Sequence, residues 1–317
     1  MSSLSVKRHG KTNQGKQRWY CTRCNKSFLW RLPRDTHFVR SFKWFRLWMQ
    51  EGYSVRELSA LSKKSPSSIR RIIHYWLSHR PPKDDSQWRT QLNQCHHIIV
   101  DGTILRRKNN EAVYVVMEST SHRLLYGAYG IREGARDLQQ LYGMLAQAGL
   151  HPSSVTVDGN PQQAKYLSLQ WPQIRLQRCI VHVQRQGLRW CRRKPKRTDA
   201  KHLRKLFLDL TMVKTSVQRD NFIRRVYQWD QRFGHTIRQA RRTTGGWVFS
   251  DLALAARMVV RSLPDLFHFI DNAEISSSTN PLEGYFSRVK EKYRRHRGLA
   301  RKCREQYFQW YFYLRPR

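Results

Sequence analysis

Apolar residues between positions 37 and 80 recur at helical spacing. On one face of a first helix they follow one another at steps of four, three and four residues: Phe38, Phe42, Phe45 and Met49. Gly52 ends this helix, and Ser54 with Glu57 forms a capping box that begins a short second helix. Pro66, directly after a serine, suits the first position of a third helix. The segment is therefore predicted to be a small helical bundle.

The third helix is predicted to have one apolar face and one polar, basic face. The apolar side carries Ile69, Ile72, Ile73 and Trp76. The open side carries Ser67, Ser68, Arg70, Arg71 and His74. Short helices followed by one with a basic outer face are typical of a helix-turn-helix, whose last helix enters the DNA major groove. The alternative is an ordinary three-helix core with a solvated basic surface.

From residue 95 onward the pattern changes to strands. Runs rich in β-branched residues predict strands at 98–101, 112–118, 123–129, 155–158 and 174–181, and helical spacing predicts helices at 135–148 and 161–169. An antiparallel meander followed by alternating helix and strand is the order of a ribonuclease-H-like α/β fold. Residues 186–270 are predicted to form a helical insertion, and residues 282–314 a long basic helix or a helix pair.

The charge of the chain indicates a polyanionic partner. Lys and Arg total 60 against 22 acids, which gives a formal net charge of +38. Binding to DNA or RNA would relieve the resulting self-repulsion. A ribosomal or structural basic protein is the alternative, and the 11 Trp residues disfavour it.

Nothing in the sequence indicates a membrane or a secreted protein. No apolar run approaches the roughly 20 residues that span a bilayer, and residues 1–16 lack the apolar stretch of a signal peptide. The six cysteines are scattered rather than arranged as a disulfide framework. We therefore expect a reduced, cytoplasmic protein.

The first thirty residues indicate half of a zinc site. Two basic segments flank a turn at 13–15, so a β-hairpin is expected, and Cys21 and Cys24 follow it in a C-x-x-C spacing. Zinc takes four ligands, usually from two such pairs, and the second pair is missing. The Zn²⁺ site is therefore expected to be incomplete, even if His9 contributes.

Three acids are candidates for holding divalent cations. Asp101 and Asp158 each end a β-rich run and precede a glycine, and a carboxylate at a strand end suits metal binding. Glu283 falls in the first turn of a predicted helix, where the helix dipole favours its charge. Taken singly, each acid could instead cap a turn or a helix.

Cys179 and His182 are predicted to lie where the fifth strand gives way to a helix. They could form a zinc pair, which would need two more ligands. A supporting role for His182 beside the acids or a DNA phosphate fits better. Packing of Cys179 in the core is the alternative.

Four segments together resemble the Mutator-type DDE transposases of bacterial insertion sequences. They are residues 101–102, 158–159, 177–182 and 279–283, and they contain the Asp-Gly pairs, the C-x-x-H spacing and a T-N-x-x-E stretch. The separations are 158 − 101 = 57 and 283 − 158 = 125 residues, and the second leaves room for a helical insertion. The resemblance covers about residues 95–317. The N-terminal part resembles the zinc ribbon and helix-turn-helix ahead of some of these catalytic domains, although its first C-x-x-C is missing.

The resemblance implies a domain order. It implies a partial zinc ribbon at 1–34, a helix-turn-helix DNA-binding domain at 35–82 and a ribonuclease-H-like DDE catalytic domain at 95–317, with the insertion at about 186–270.

The resemblance also implies a chemistry. Asp101, Asp158 and Glu283 would bind two Mg²⁺ or Mn²⁺ ions and catalyse cleavage of transposon ends and their joining to target DNA. Cys179 and His182 would support these acids. The helix-turn-helix would bind the terminal inverted repeats, and a dimer or larger assembly would hold two ends together.

Basic and aromatic residues would complete the DNA contacts. Phosphate contacts are expected from the last basic region: Arg288, Lys290, Lys292, Arg294 and Arg295. Trp190, Trp229 and Trp247 either stack on unpaired bases or belong to the core. A structure-specific nuclease of the same fold and a catalytically dead DNA-binding protein are the competing interpretations.

Overall fold

The computed structural model divides the chain into two compact units, Met1–His79 and Arg80–Arg317. It describes residues 5–30, 38–82, 85–106, 111–131, 134–244, 247–296 and 298–314. Each unit has its own sheet and helices, and each is described by itself below.

The first unit begins with a small antiparallel sheet. Its strands are β1 (Val6–Lys11), β2 (Gln17–Cys21) and β3 (Lys26–Leu29), hydrogen-bonded in the order β1-β2-β3. The predicted hairpin around residues 13–15 is confirmed, and Gly15 takes the positive φ of 74° that this turn needs. Cys21 ends β2, and Cys24 lies in the turn before β3.

Three helical segments follow, as the apolar spacing predicted. They are α1 (Phe42–Arg46), which continues into a π-helical turn at Leu47–Glu51, then α2 (Val55–Ser62) and α3 (Pro66–Leu77). The capping box is confirmed, because Ser54 Oγ accepts from Glu57 N at 3.2 Å and Ser54 N donates to Glu57 Oε2 at 2.7 Å. Gly52, at φ 72°, ends the π-helical turn in the left-handed conformation.

The helical segments of the first unit bury one core and leave one face of α3 open. Apolar side chains from all three segments are buried: Phe45, Met49, Leu58, Ile69 and Ile72. On α3, Ser67, Arg70, Arg71 and His74 are exposed and Ser68 is half-buried. The predicted division of α3 into an apolar and a polar face is therefore confirmed.

The second unit is mixed α/β, which confirms the predicted class. Helix α4 (Asp85–Asn93) precedes a sheet of strands β4 (His97–Arg106), β5 (Glu111–Glu118), β6 (Leu124–Tyr129), β7 (Ser154–Val157) and β8 (Arg175–Arg178). The sheet order is β6-β5-β4-β7-β8. Strands β4, β5 and β6 pair antiparallel, whereas β7 runs parallel to β4 and β8 parallel to β7.

Two predicted strand ends are wrong. Strand β4 does not end at Asp101, because Gly102 and Ile104 continue the pairing with Tyr114 and Ala112 of β5. Strand β8 ends at Arg178 rather than at residue 181. The apolar run that follows suits a strand as well as a buried helix, and it forms the first turn of a helix.

Helices cover one face of this sheet. Helix α5 (Ala135–Gln147) lies between β6 and β7 in the chain, and α6 (Pro161–Gln170) between β7 and β8. Their apolar faces pack on alternate residues of the central strands, including Ile98, Val100 and Val155. The intervening positions of β4 and β7, among them Asp101 and Thr156, therefore face the other side of the sheet.

The helices after β8 build a second core. They are α7 (Ile180–Trp190), α8 (Thr198–Asp209), α9 (Ser216–Trp229), α10 (His235–Thr244), α11 (Trp247–Ser262) and α12 (His268–Asp271). Trp229 is buried there and its indole N–H donates to Asp199 O at 2.9 Å, so base stacking by Trp229 is wrong. Trp190 packs half-buried against the same core, and the side chain of Trp247 lies outside the described residues.

The chain ends in a helix pair, α13 (Asn280–Arg295) and α14 (Arg301–Tyr313). Helix α13 contacts β4 and α14 contacts β6. A buried charge cluster joins them to the sheet, because Glu111 of β5 accepts hydrogen bonds from Arg304 of α14 and from the Tyr293 hydroxyl of α13. Within the described ranges, no helix is long and apolar enough to cross a bilayer.

Arg304→Met should destabilise the second unit by about 3–5 kcal/mol, because it leaves the Glu111 carboxylate buried without its cation. The matched control is Arg295→Met, which removes an exposed pair with Glu291 and should cost roughly 0.5 kcal/mol or less. Denaturant unfolding of the full chain, followed by circular dichroism, measures both changes. Equal losses in the two variants would contradict this role of Glu111 and Arg304.

Candidate active site

Asp101 and Asp158 come from neighbouring parallel strands. The pairing of β4 with β7 sets Ile99 opposite Thr156, and each acid lies two residues further along its own strand direction. Asp101 is buried inside β4, and its Oδ1 accepts from the backbone N–H of Gly102 at 2.8 Å. Asp158 is half-buried directly after β7. Both carboxylates therefore project from the same face of the sheet, close to the carboxyl end of β7.

The segment before α13 is fastened across this face of the sheet. Thr156 Oγ1 donates to Ser276 O at 2.7 Å, and Ser276 N donates to Ser119 Oγ at 2.9 Å. The backbone N–H of Ile180, at the start of α7, donates to Ser277 O at 3.0 Å. These contacts place the N-termini of α7 and α13 side by side.

Glu283 lies in the first turn of α13, where its charge is favoured by the helix dipole. Its Oε1 is 2.6 Å from an Arg185 guanidinium nitrogen and 3.8 Å from His182 Nε2, and both partners lie on α7. The first-turn position expected for Glu283 is confirmed. Its ion pair with Arg185 was not predicted.

Asp158 organises the turn that leads into α6. Its Oδ1 accepts from the backbone N–H of Asn160 at 2.9 Å, and Asn160 in turn caps α6 by accepting from Gln162 N at 2.9 Å. The alternative interpretation that Asp158 caps a turn is therefore correct. This hydrogen bond fixes the carboxylate in place.

Cys179 and His182 form a clasp between α7 and α13. Cys179 is the residue that precedes α7, not the end of a strand, and its buried Sγ accepts from Thr279 N at 3.3 Å. His182 Nδ1 lies 3.3 Å from Cys179 Sγ and 3.3 Å from Thr279 Oγ1. The interpretation that Cys179 packs in the core is therefore confirmed. Its sulfur also contacts His182 and orients the imidazole.

The contact between Cys179 and His182 shifts the pKa of both side chains. The hydrogen bond to Cys179 raises the pKa of His182; burial opposes the change, and the charges of Cys179, Asp101 and Asp158 add to it. Burial would raise the pKa of the Cys179 thiol, but hydrogen bonds from the His182 side chain and the Thr279 and His182 backbone lower it overall. The imidazole of His182 thus faces the negative potential of both aspartates.

Arg178, the last residue of β8, lies near one of the acids, Asp158. Its guanidinium donates to Gly159 O at 3.3 Å, and a Cβ on Gly159 would collide with it. Burial lowers the pKa of Arg178, while the charges of Asp158 and Asp265 raise it. Gly159, at φ 111°, supplies both the turn after Asp158 and the space for this guanidinium.

Sequence reasoning gave no role to Arg178 or Arg185. A signal for Arg185 was present, because it follows His182 by three residues and so shares a helix face with it. The partner acid is 98 residues away, and no local pattern indicates such a pair.

The donor chemistry fits hard divalent cations, but the acids do not form a ready metal site. Carboxylate oxygens are the ligands that Mg²⁺ and Mn²⁺ prefer. In the part of the chain that the structure describes, no group of three or more His, Cys, Asp or Glu side chains is close enough to hold a metal. The described ionic partner of Glu283 at the shortest distance is Arg185.

Cys21 and Cys24 lie at a sharp turn in the first unit. Hydrogen bonds from the backbone of Cys24 and Arg23 lower the pKa of Cys21, which favours the thiolate that binds metals. His9 does not join them by any described contact, and its ring lies 5.2 Å from that of Tyr20. The described residues thus bring no third ligand to this pair.

The predicted phosphate-binding residues of α13 differ in exposure. Arg288, Arg294 and Arg295 are exposed, whereas Lys290 and Lys292 are half-buried. Arg295 pairs with Glu291 at 3.0 Å, and the Arg288 guanidinium lies 5.9 Å from the centre of the Tyr285 ring.

Neither a model of a known protein family nor a curated protein matches this chain. Its function is therefore inferred from the arrangement of its own residues.

The His182 imidazole should titrate with a pKa above its ordinary value of 6.5. Because the pKa of His182 is higher in the folded than in the unfolded chain, its protonation stabilises the fold. This contribution to the free energy of unfolding is fully present below the unfolded pKa and is lost as pH rises through the folded pKa. Cys179→Ala should lower the pKa of His182, as followed by NMR of the metal-free protein.

Cys191→Ala is the control, since it removes another buried cysteine at the far end of α7. It should leave the His182 titration unchanged. An equal response to both substitutions would show that the sulfur of Cys179 has no specific effect.

Proposed function

We propose that the chain is a DNA transposase that cleaves transposon ends and joins them to target DNA by metal-dependent phosphoryl transfer. The observation that carries this proposal is that Asp101 and Asp158 share one face of the sheet, and that the start of α13, which carries Glu283 in its first turn, is fastened to the same face. Two of these acids lie in register on parallel strands, and contacts 120 and 100 residues apart in sequence bring the helix of the third to the same face.

The sheet supports a ribonuclease-H-like catalytic domain. In chain order its strands lie 3-2-1-4-5, with the first three antiparallel and the last two parallel to the first. In the proposed assignment Asp101 comes from the first strand, Asp158 follows the fourth, and Glu283 comes from a helix after a helical insertion. This is the order that the resemblance to Mutator-type DDE transposases implies.

Asp101, Asp158 and Glu283 would hold two Mg²⁺ or Mn²⁺ ions. The chemistry supplied there would be activation of a water or a DNA 3′-hydroxyl and stabilisation of the leaving oxygen. The chain's own contribution is positioning: Asn160 and Gly102 fix the aspartates, while Thr279 and Cys179 fix the start of α13. Arg178 and His182 place positive charge beside the acids, where the phosphate of the cleaved strand would lie.

The remaining DNA contacts follow from charge and exposure. The exposed face of α3, with Arg70, Arg71 and His74, is proposed to bind the terminal inverted repeats. Exposed arginines of α13 are proposed to bind backbone phosphates. Cys21 and Cys24 supply half of a zinc site, so a Zn²⁺ there needs further ligands.

The cellular setting is part of the proposal. Two transposon ends must be held together, so we expect a dimer or a larger assembly on DNA. Its expected location is the bacterial cytoplasm, at the nucleoid.

Purified protein with Mn²⁺ and labelled DNA carrying the element's own ends should nick and join that DNA. Asp158→Asn and Glu283→Gln should each reduce both products by roughly a hundredfold or more, because each removes a proposed metal ligand. Glu291→Gln, two turns further along α13 and exposed, is the matched control and should retain activity. Gel analysis of cleaved and joined strands gives the rates.

The other outcomes decide against the proposal. Cleavage without joining would indicate a structure-specific nuclease of the same fold. Binding without cleavage would indicate a DNA-binding protein that lacks catalysis. Full activity of Asp158→Asn would overturn the assignment of the acids.

A further inference from the structure

Glu283, the third acid of the proposed site, forms an ion pair with the guanidinium of Arg185. A guanidinium nitrogen of Arg185 lies 2.6 Å from Glu283 Oε1, slightly closer than the roughly 2.7–2.9 Å of charge-assisted N–H···O hydrogen bonds. The Arg185 side chain is 56% exposed and that of Glu283 is 37% exposed. The pair is thus accessible to solvent and to a ligand, which allows its partners to change.

Arg185 is the movable member of the group around Glu283. His182 is tied through Nδ1 to Cys179 and Thr279, and α13 is fastened at its N-terminus by the same two residues. Arg185, by contrast, reaches Glu283 with a long side chain that is more than half exposed.

We propose that Arg185 is a positioning residue that exchanges Glu283 for a DNA phosphate. Without DNA, Arg185 binds Glu283 and keeps this carboxylate from a divalent cation. When DNA is bound, a backbone phosphate takes the guanidinium, and Glu283 becomes available to the cation beside Asp101 and Asp158. The inference rests on the proposed function, since it concerns the same acids.

Guanidinium chemistry supports the exchange. Its planar fork suits a carboxylate and a phosphate equally well. Each phosphodiester carries one negative charge, as the carboxylate does, but a DNA strand presents many of them in succession. A protein with a net charge of +38 concentrates DNA at its surface, so the competing phosphate is supplied by the substrate itself. Binding of DNA and of the cation should therefore reinforce each other, and by linkage the factor is the same in both directions.

The first test is a Mn²⁺ titration of the DNA-free full chain, followed by the electron paramagnetic resonance of free Mn²⁺. Arg185→Gln should bind Mn²⁺ about two- to fivefold more tightly than the original chain, the factor expected for releasing one partly exposed ion pair. Arg189→Gln, one turn further along α7, removes the same charge from an exposed position and should change the affinity less.

A double substitution separates release of Glu283 from the general effect of removing a positive charge. In a Glu283→Gln background, Arg185→Gln should no longer increase Mn²⁺ affinity, because the carboxylate it releases is gone. An increase that persists in that background would overturn the exchange. So would an Arg185→Gln variant that binds Mn²⁺ no more tightly than the original chain.

The second test is the affinity for a short DNA duplex, measured by fluorescence anisotropy with and without Mn²⁺. Mn²⁺ should strengthen DNA binding more in the original chain and in Arg189→Gln than in Arg185→Gln. Equal strengthening in all three would overturn the exchange.

Failure of the proposed function gives a different result. If Mn²⁺ affinity is unchanged by Asp101→Asn, the acids do not bind the cation, and both the function and the exchange are wrong. If Asp101→Asn weakens Mn²⁺ binding while Arg185→Gln has no effect, the site stands and only the exchange fails.

Discussion

The candidate site depends on one non-local attachment, the fastening of residues 275–279 across the sheet. Thr156, Ser119 and the start of α7 all bond to this short segment. Their partners lie between 97 (277 − 180) and 157 residues away in sequence. Closing so long a loop costs conformational entropy. The helices between β8 and α13 offset that cost by folding on a core of their own, which includes Phe207, Phe222 and Trp229. The helical insertion is thus compact, and the chain that leaves it contacts the sheet again at Ser276.

Ion pairs and nearby charges also stabilise the candidate site. Acids are scarce in this chain, 22 against 60 Lys and Arg, and those near the sheet edge are matched by Arg178, His182 and Arg185. Clustered carboxylates repel one another when no cation is present. Basic side chains beside the acids offset this repulsion. For Glu283 and Arg185, the contact that offsets this repulsion is the one that, in the proposed exchange, keeps the acid from a metal.

Local patterns predicted the elements well and the contacts between them poorly. Apolar spacing and capping residues such as Ser54 and Glu57 gave the helices of the first unit, and β-branched runs located the strands. The boundary after Arg178 was missed because the apolar residues Ile180 and Val181 suit either a strand or a buried helix. Asp101 was placed at a strand end because pairing with β5 beyond it depends on tertiary contacts. The Arg185–Glu283 pair has no local signal, because its members lie 98 residues apart in sequence.

Helix α13 is fixed at both of its ends. Its N-terminus is held by Cys179 and Thr279, and near its C-terminus Tyr293 donates to Glu111, which also binds Arg304 of α14. A helix anchored in this way cannot shift as a whole without breaking buried polar contacts, which is costly. The remaining freedom of Glu283 is rotation of its side chain. In the proposed exchange, the change of partner from Arg185 to a cation would therefore be a local event. The buried cluster of Glu111, Tyr293 and Arg304 would hold α13 in place while the Glu283 side chain rotates.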